Sequence, residues 1–216
     1  MTRQSWFMLG HVAAGSALAL LGLLGLDQVV ATGLHASAYE DLWVFRAGTT
    51  LLDTVTAKEA SKFLLGLVLV ACAGALFIPA RTRGLARGTL FVGVVQLLST
   101  LVAGVSKNLF GRLRPFEVLQ SGDWSHYWFV DGNSFPSGHA GFYFGLFLPL
   151  AFLFPRWRWP LVLIPWFIAV ARVDANHHFM SDIGVSIVMA AALVLALSRL
   201  AQPRAGILLG SRAQGQ

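Results

Sequence analysis

The chain has 216 residues, 56% of them hydrophobic and only 12% charged, with a mean hydropathy of +0.67. Soluble domains carry about a quarter of their residues charged, so this balance excludes an ordinary soluble protein and assigns the apolar excess to a bilayer. The net charge of +6 would suit a nucleic-acid binder, but the basic residues form no single stripe and collect at the ends of apolar runs, which sets that class aside.

Taken in chain order, the apolar runs predict six membrane helices, near residues 6–26, 63–79, 89–105, 140–155, 159–170 and 183–197. The expected fold is therefore all-α, a polytopic six-helix bundle. Spans of about 20 residues each use up the chain, so residues 1–216 are read as one integral-membrane domain. Ala36-Ser37-Ala38 resembles a signal-peptide cleavage site, but it lies well beyond the first run, which is itself too long for such a peptide. A retained helix is expected. The connection 27–62 carries Tyr39, Trp43 and Phe45 with Leu42, Leu51 and Leu52, and reads as an amphipathic helix at the interface. Cys72 is the single cysteine, so no intrachain disulfide can form, and it reads as packing within the second run. The fifth run is short and interrupted by Pro165, which membrane helices tolerate because neighbours satisfy the freed carbonyls. Apart from Cys72, His11 is the only titratable side chain well inside a predicted span, too little to build a transport pathway. The tail from Ala201 reads as loosely ordered.

An even number of spans puts both termini on one side. If that side is cytoplasmic, its segments hold Arg3, Arg81, Arg83, Arg87, Arg156, Arg158, Arg199, Arg204 and Arg212, and none of the ten acidic residues. The short loop of three arginines between the second and third runs satisfies the positive-inside bias. The polar motifs then fall on the non-cytoplasmic face, in three segments.

In the first, Lys107, Arg112 and Arg114 lie within eight residues, and Pro115 follows. Such cations repel one another unless an anion sits among them; arginine offers a fork matched to phosphate oxygens and lysine a mobile point charge. On this segment alone, anchorage to anionic headgroups explains them equally well. Downstream, Trp124, Tyr127 and Trp128 read as interfacial anchors ahead of recognition elements.

The second segment is Pro136-Ser137-Gly138-His139, just before the fourth run. Free N–H groups at a helix start bind anions, glycine lets the backbone approach a phosphate, and His139 can protonate a leaving alkoxide. A Ser-Gly turn with an incidental histidine is the plainer alternative. In the third segment, Arg172 to Asp182, a neutral imidazole can attack phosphorus if a carboxylate fixes its other nitrogen. His178 and Asp182 are four apart, hence on one helical face. His177 is the rival nucleophile, but Ser181 stands four residues on and Asp174 is its only candidate partner. A polar helix start with incidental histidines would read the same on this segment alone. His139, His177, His178, Asp174 and Asp182 could also gather around a metal, but no H-E-x-x-H spacing exists and the neighbouring cations disfavour a divalent ion. No metal or other cofactor is expected.

Order and spacing tie the segments together: Lys107 with six residues between it and Arg114-Pro115, then Pro136 to His139, then Arg172 with five residues between it and His178, and three more between His178 and Asp182. This set resembles the signature of the type 2 phosphatidic acid phosphatase superfamily, which also includes bacterial lipid phosphatases and vanadium-dependent haloperoxidases. Ala171 departs from it, standing where the family often has serine, beside the clamp and not in it. The likeness covers the third span to the sixth, about residues 101–197. It implies that Lys107, Arg114 and Arg172 hold the phosphate with help from Ser137 and Gly138. By the same resemblance His178 attacks to give a phosphohistidine, Asp182 orients it, and His139 protonates the leaving oxygen and later activates water. Arg112 lies outside the pattern. The implied activity is metal-independent removal of a phosphomonoester or pyrophosphate from a lipid: phosphatidic acid, phosphatidylglycerol phosphate, undecaprenyl pyrophosphate or lipid A. The implied setting is the periplasmic face of a bacterial inner membrane, with the substrate lipid as partner. Two alternatives compete, phosphotransfer to an acceptor other than water and a catalytically silent protein that binds anionic lipid.

Overall fold

In the computed structural model, which describes residues 2–37 and 40–198, the first apolar run becomes α1 (Arg3–Leu21). Its start is capped by Thr2, whose Oγ1 accepts from the Ser5 N–H at 3.2 Å. Ala38, Tyr39, Arg199, Arg204, Arg212 and the tail from Ala201 lie outside the described residues. Close to the expected end at residue 26 the helix breaks, because Gly25 takes φ 130, outside helical geometry. The chain kinks within Gly22–Leu26 and continues as α2 (Asp27–His35); the positive φ at the kink is a conformation that glycine adopts without steric cost.

After it come α3 (Trp43–Val55), α4 (Leu64–Phe77), α5 (Arg83–Phe110), α6 (Pro115–Ser121), α7 (Gly138–Leu153), α8 (Arg158–Asp174) and α9 (Met180–Leu197). No strand occurs among the described residues. The amphipathic helix expected in the first connection is α3: Trp43, Leu51 and Val55 are exposed, whereas Thr49 and Asp53 are buried. The six apolar runs coincide with α1, α4, α5, α7, α8 and α9. Three stretches are long and apolar enough to cross a membrane, Arg3–His35, Ala80–Ser121 and Met180–Leu197. The others are shorter than the roughly 20 residues a bilayer core asks for: α4 has 14, α7 has 16 and α8 has 17, with Pro165 inside it.

α1 packs on α9, α4 on α5, and α7 lies among α5, α8 and α9. The α1–α9 crossing is close because both helices present glycine: a Cβ on Gly184 would sit 2.5 Å from Gly15 O and Ala19 N. Small residues at such crossings are how helices gain contact where lipid offers no hydrophobic contrast. The core between the helices holds Phe91, Val95, Phe144, Leu148, Ile187 and Val194, each fully buried. Outward faces carry exposed Leu20, Leu24, Leu67, Leu101 and Leu163, as a lipid-facing surface should. Cys72 belongs to that surface; it is exposed and does not pack inside, because no helix among the described residues covers its face of α4. His11 is buried, with Nδ1 against Phe7 O of its own helix at 3.0 Å.

Candidate active site

At one end of the bundle the starts of α7 and α9 meet the ends of α5 and α8. Ser137 caps α7: its Oγ accepts from Ala140 N–H at 3.3 Å, and its own N–H donates to Asp182 O at 3.2 Å. Ser186 Oγ donates back to Ser137 O at 3.0 Å, so the two helix starts are stitched together. Ser137 is fully buried and its hydroxyl is committed to the cap. What this segment offers an anion is the N–H groups of Gly138 and His139, which have no hydrogen-bond partner among the described residues. Lys107, near the end of α5, lies alongside: a Cβ on Gly138 would be 3.5 Å from Lys107 Cε. Its Nζ donates to Asn133 O.

The end of α8 presents the histidines. Asn176 adopts a left-handed conformation, φ 49, which asparagine tolerates better than most residues. The turn it makes lets the N–H groups of both His177 and His178 donate to Arg172 O at 3.1 Å. His178 then sits against the first turn of α9. There Asp182 Oδ2 accepts from the Phe179 N–H at 2.9 Å, a helix-start cap, and from Ser134 Oγ at 2.5 Å. The same oxygen is 3.5 Å from His178 Nδ1, and Ser134 Oγ lies at the same distance from that nitrogen. Nε2 of His178 has no hydrogen-bond partner among the described residues. Burial pulls the His178 imidazole down to about 3, against the opposing pull of Asp182 and with help from the charges of Lys107 and Arg172. At neutral pH it carries a free lone pair.

His177 is placed differently. Arg172 Nη2 donates to its Nδ1, and burial together with the charges of Arg172 and Arg114 lowers it to about 4. Asp174 does not serve it, since its Oδ2 accepts from the Leu42 N–H at 2.8 Å and ties the start of α3 to α8. Of the adjacent pair, only His178 faces a carboxylate among the described residues. Arg172 Nε is buried with no partner among the described residues. Arg114 uses its backbone to start α6, its N–H donating to Glu117 Oε2 at 2.6 Å. The guanidinium has no hydrogen-bond partner among the described residues, and its charge acts on both Lys107 and Arg172.

Several residues that the motifs passed over complete the arrangement. Arg112 is fully buried: Nη1 donates to Asp182 Oδ1 and to Ser181 Oγ, each at 2.6 Å, and Nη2 to Asp27 Oδ2 at 2.7 Å. Its guanidinium stacks 3.9 Å from the ring centre of Phe179 and 4.3 Å from that of Trp128. Tyr127 also faces it and Trp124 packs on Tyr127. Tyr127 and Trp128, with Phe179, thus wall in a buried cation. The loop comes close enough through Gly132, where any Cβ would collide with the backbone of Arg112. Ser134 N–H thereby donates to Arg112 O at 2.8 Å, and Ser134 reaches Asp182.

A second network surrounds His139. Its Nε2 is 2.9 Å from Asp53 Oδ2 and 2.6 Å from Lys58 Nζ, and Lys58 Nζ donates to Asp53 Oδ2 at 3.1 Å. Tyr143, one turn along α7, donates its hydroxyl to Asp53 Oδ1 at 2.7 Å. Burial pushes the Asp53 carboxyl up, but hydrogen bonds from His139 and Tyr143 and the charge of Lys58 outweigh it and hold the group well below the ordinary carboxylate range. The residue type and apolar setting of Asp53 give it away only once α3 is folded onto α7 and α8. No three His, Cys, Asp or Glu side chains are grouped to hold a metal among the described residues. Cations and free N–H groups dominate, a donor set suited to an anion.

Residues 88–205 match the PAP2 superfamily. Relatives include the lipid A 1-phosphatase of Rhizobium johnstonii, 32% identical over 122 residues, which are 55% of this chain and 49% of that protein. Another is the lipid A 1-phosphatase of Rhizobium etli, 34% identical over 97 residues, 44% of this chain and 41% of that protein. The chain thus spans half or less of the length of these relatives, and no solved structure matches it. A family match across more than half of the chain, laid over the same helices that close this end of the bundle, makes it a member of the PAP2 superfamily.

Proposed function

We propose that the chain is a membrane lipid phosphatase that works through a phosphohistidine on His178, at the non-cytoplasmic face of a bacterial inner membrane. The observation that carries this reading is the placement of His178: buried, with Nδ1 3.5 Å from Asp182 and Nε2 without a hydrogen-bond partner among the described residues, and with burial and the charges of Lys107 and Arg172 favouring the neutral ring. A nucleophilic imidazole needs that combination. The phosphate would be held by Lys107, Arg114 and Arg172 and by the N–H groups of Gly138 and His139, with Ser137 fixing the helix start that aims them. The unpartnered Nε of Arg172 is a donor awaiting such an oxygen.

In the reaction, Nε2 attacks phosphorus while the positive charge that develops on the ring is met by Asp182. His139 gives a proton to the departing oxygen, then accepts one from the water that cleaves the phosphohistidine. The protein's own cations neutralise the transferring phosphoryl group, so no metal is called for. The relatives named as lipid A 1-phosphatases support a phosphorylated lipid as substrate, and the apolar outward faces would let it arrive from the bilayer. Arginines on the opposite ends of the helices support cytoplasmic termini.

The test is phosphate release by purified protein from phosphatidic acid, phosphatidylglycerol phosphate, undecaprenyl pyrophosphate and lipid A, with EDTA present. Release from at least one lipid is expected, undiminished by EDTA and lowered at least about 1,000-fold in His178→Ala. No release from any of them would overturn the phosphatase reading. Activity retained by His178→Ala would overturn the nucleophile, and loss with EDTA the metal independence.

A further inference from the structure

We propose that Lys58 supplies the proton that His139 hands to the leaving oxygen, passing it through the imidazole ring, while Asp53 holds lysine and histidine in register. The inference rests on the acid–base role of His139 given above and adds the turn after α3 to the reacting apparatus.

His139 Nε2 has two partners within hydrogen-bond distance, Lys58 Nζ at 2.6 Å and Asp53 Oδ2 at 2.9 Å. One ring nitrogen cannot accept from an ammonium and donate to a carboxylate at the same moment. The contacts therefore describe two states of one proton chain. In the first, the Lys58 ammonium donates to Nε2 and to Asp53 Oδ2, and the ring proton sits on Nδ1. In the second, Nε2–H donates to Asp53 Oδ2 and Lys58 is an amine. Nδ1 has no hydrogen-bond partner among the described residues, so it is the nitrogen left for the substrate.

The step between the states balances. As the bond from phosphorus to the leaving oxygen breaks, the Nδ1–H bond breaks and its proton goes to that oxygen. Nε2 forms its N–H bond with a proton from Lys58 Nζ. The imidazole begins and ends neutral, and only the lysine changes charge. When water attacks the phosphohistidine, Nδ1 takes the water proton and Nε2 returns its own to Lys58, so the cycle closes.

The surroundings suit a lysine that yields its proton. Its side chain is 12% exposed and that of Asp53 11%. Burial loosens its hold on the proton and Arg172 on α8 adds to this, whereas Asp53 on α3 and Glu59 in the same turn oppose it. Tyr143 on α7 anchors Asp53 from the other side. Because Lys58 acts through His139, it is a positioning residue in this scheme and does not touch the phosphate.

Leaving-group chemistry separates this role from a merely structural tie. An alkoxide needs a proton to depart; a nitrophenolate does not. The experiment follows the first turnover of full-length enzyme with an alkyl phosphate and with a nitrophenyl phosphate bearing the same alkyl tail. Lys58→Met should slow the alkyl ester about 100-fold and the nitrophenyl ester less than about 10-fold, the scale of general-acid catalysis. Lys58→Arg should show the same split, since a guanidinium keeps the charge and the hydrogen bonds but not a transferable proton. His139→Ala should share it. Equal loss on both esters, no loss on the alkyl ester, or rescue of the alkyl ester by arginine would each overturn the proposal. A first turnover of either ester by His178→Ala would instead bring down the phosphohistidine reading beneath it, and this proposal with it.

Discussion

At Asp182 one carboxylate divides its work: Oδ1 takes Arg112, and Oδ2 faces His178, Ser134 and the Phe179 N–H. The His178–Asp182 half of that arrangement was legible in the sequence as a spacing, although His178 lies in the turn before α9 and meets Asp182 through the cap at Phe179, not along a helical face. The other half was not. Asp27 and Asp182 stand 85 and 70 positions from Arg112, and nothing local tells a buried arginine from one at a headgroup. The histidines carry a consequence for stability. His178 and His177 are lowered to about 3 and about 4 from an unfolded value of 6.5. Between those values the unfolded chain binds protons that the folded one refuses, so stability rises with pH through that window and is fully present above 6.5. Thermal unfolding in detergent should show a midpoint that falls as pH drops from about 7 to about 5, with a shallower slope in His178→Asn. A slope untouched by the substitution would contradict the assignment.

Among the elements, the apolar runs marked the right helices, and the first one ends close to the break at Gly25. Gly22–Leu26 reads as more of the same apolar span, and its one local mark is Gly25, whose φ of 130 makes the kink. Yet that kink is what delivers Asp27 to Arg112 and to Ser181, whose N–H it accepts at 3.0 Å. The amphipathic pattern of α3 was legible, whereas its function was not, because Asp53 and Lys58 gain meaning only from α7 beneath them. The bend and the α9 start are held by one buried cation between two carboxylates. Removing a single partner of such a group leaves uncompensated charge and costs about 3–5 kcal/mol. Arg112→Met should therefore destabilise the protein by that amount in denaturant unfolding, and the added change Asp27→Asn should recover part of it. A loss below about 1 kcal/mol would mean that the three groups do not share a charge balance.

Across the whole molecule, hydropathy and arginine placement outlined a helical membrane bundle, and the order of three motifs pointed to one end of it. Convergence is the property that no single stretch carries. Lys107, His139, Arg172 and His178 come from three different segments, and helix ends set them: a cap at Ser137, a left-handed turn at Asn176, a carboxylate cap at Asp182. The segments added by the folded chain, α2 with Asp27 and the turn with Lys58, lie outside the matched family region of 88–205. Tertiary packing alone brings them in. On the proposed reading, all of this geometry serves one chemical event, transfer of a phosphoryl group to His178. Rapid quenching of the protein during turnover of a radiolabelled lipid phosphate tests it most directly. The account predicts an acid-labile, alkali-stable label on His178 that vanishes in His178→Ala and chases into free phosphate in wild type. Label on another residue, or turnover with no labelled protein at any time, would contradict it.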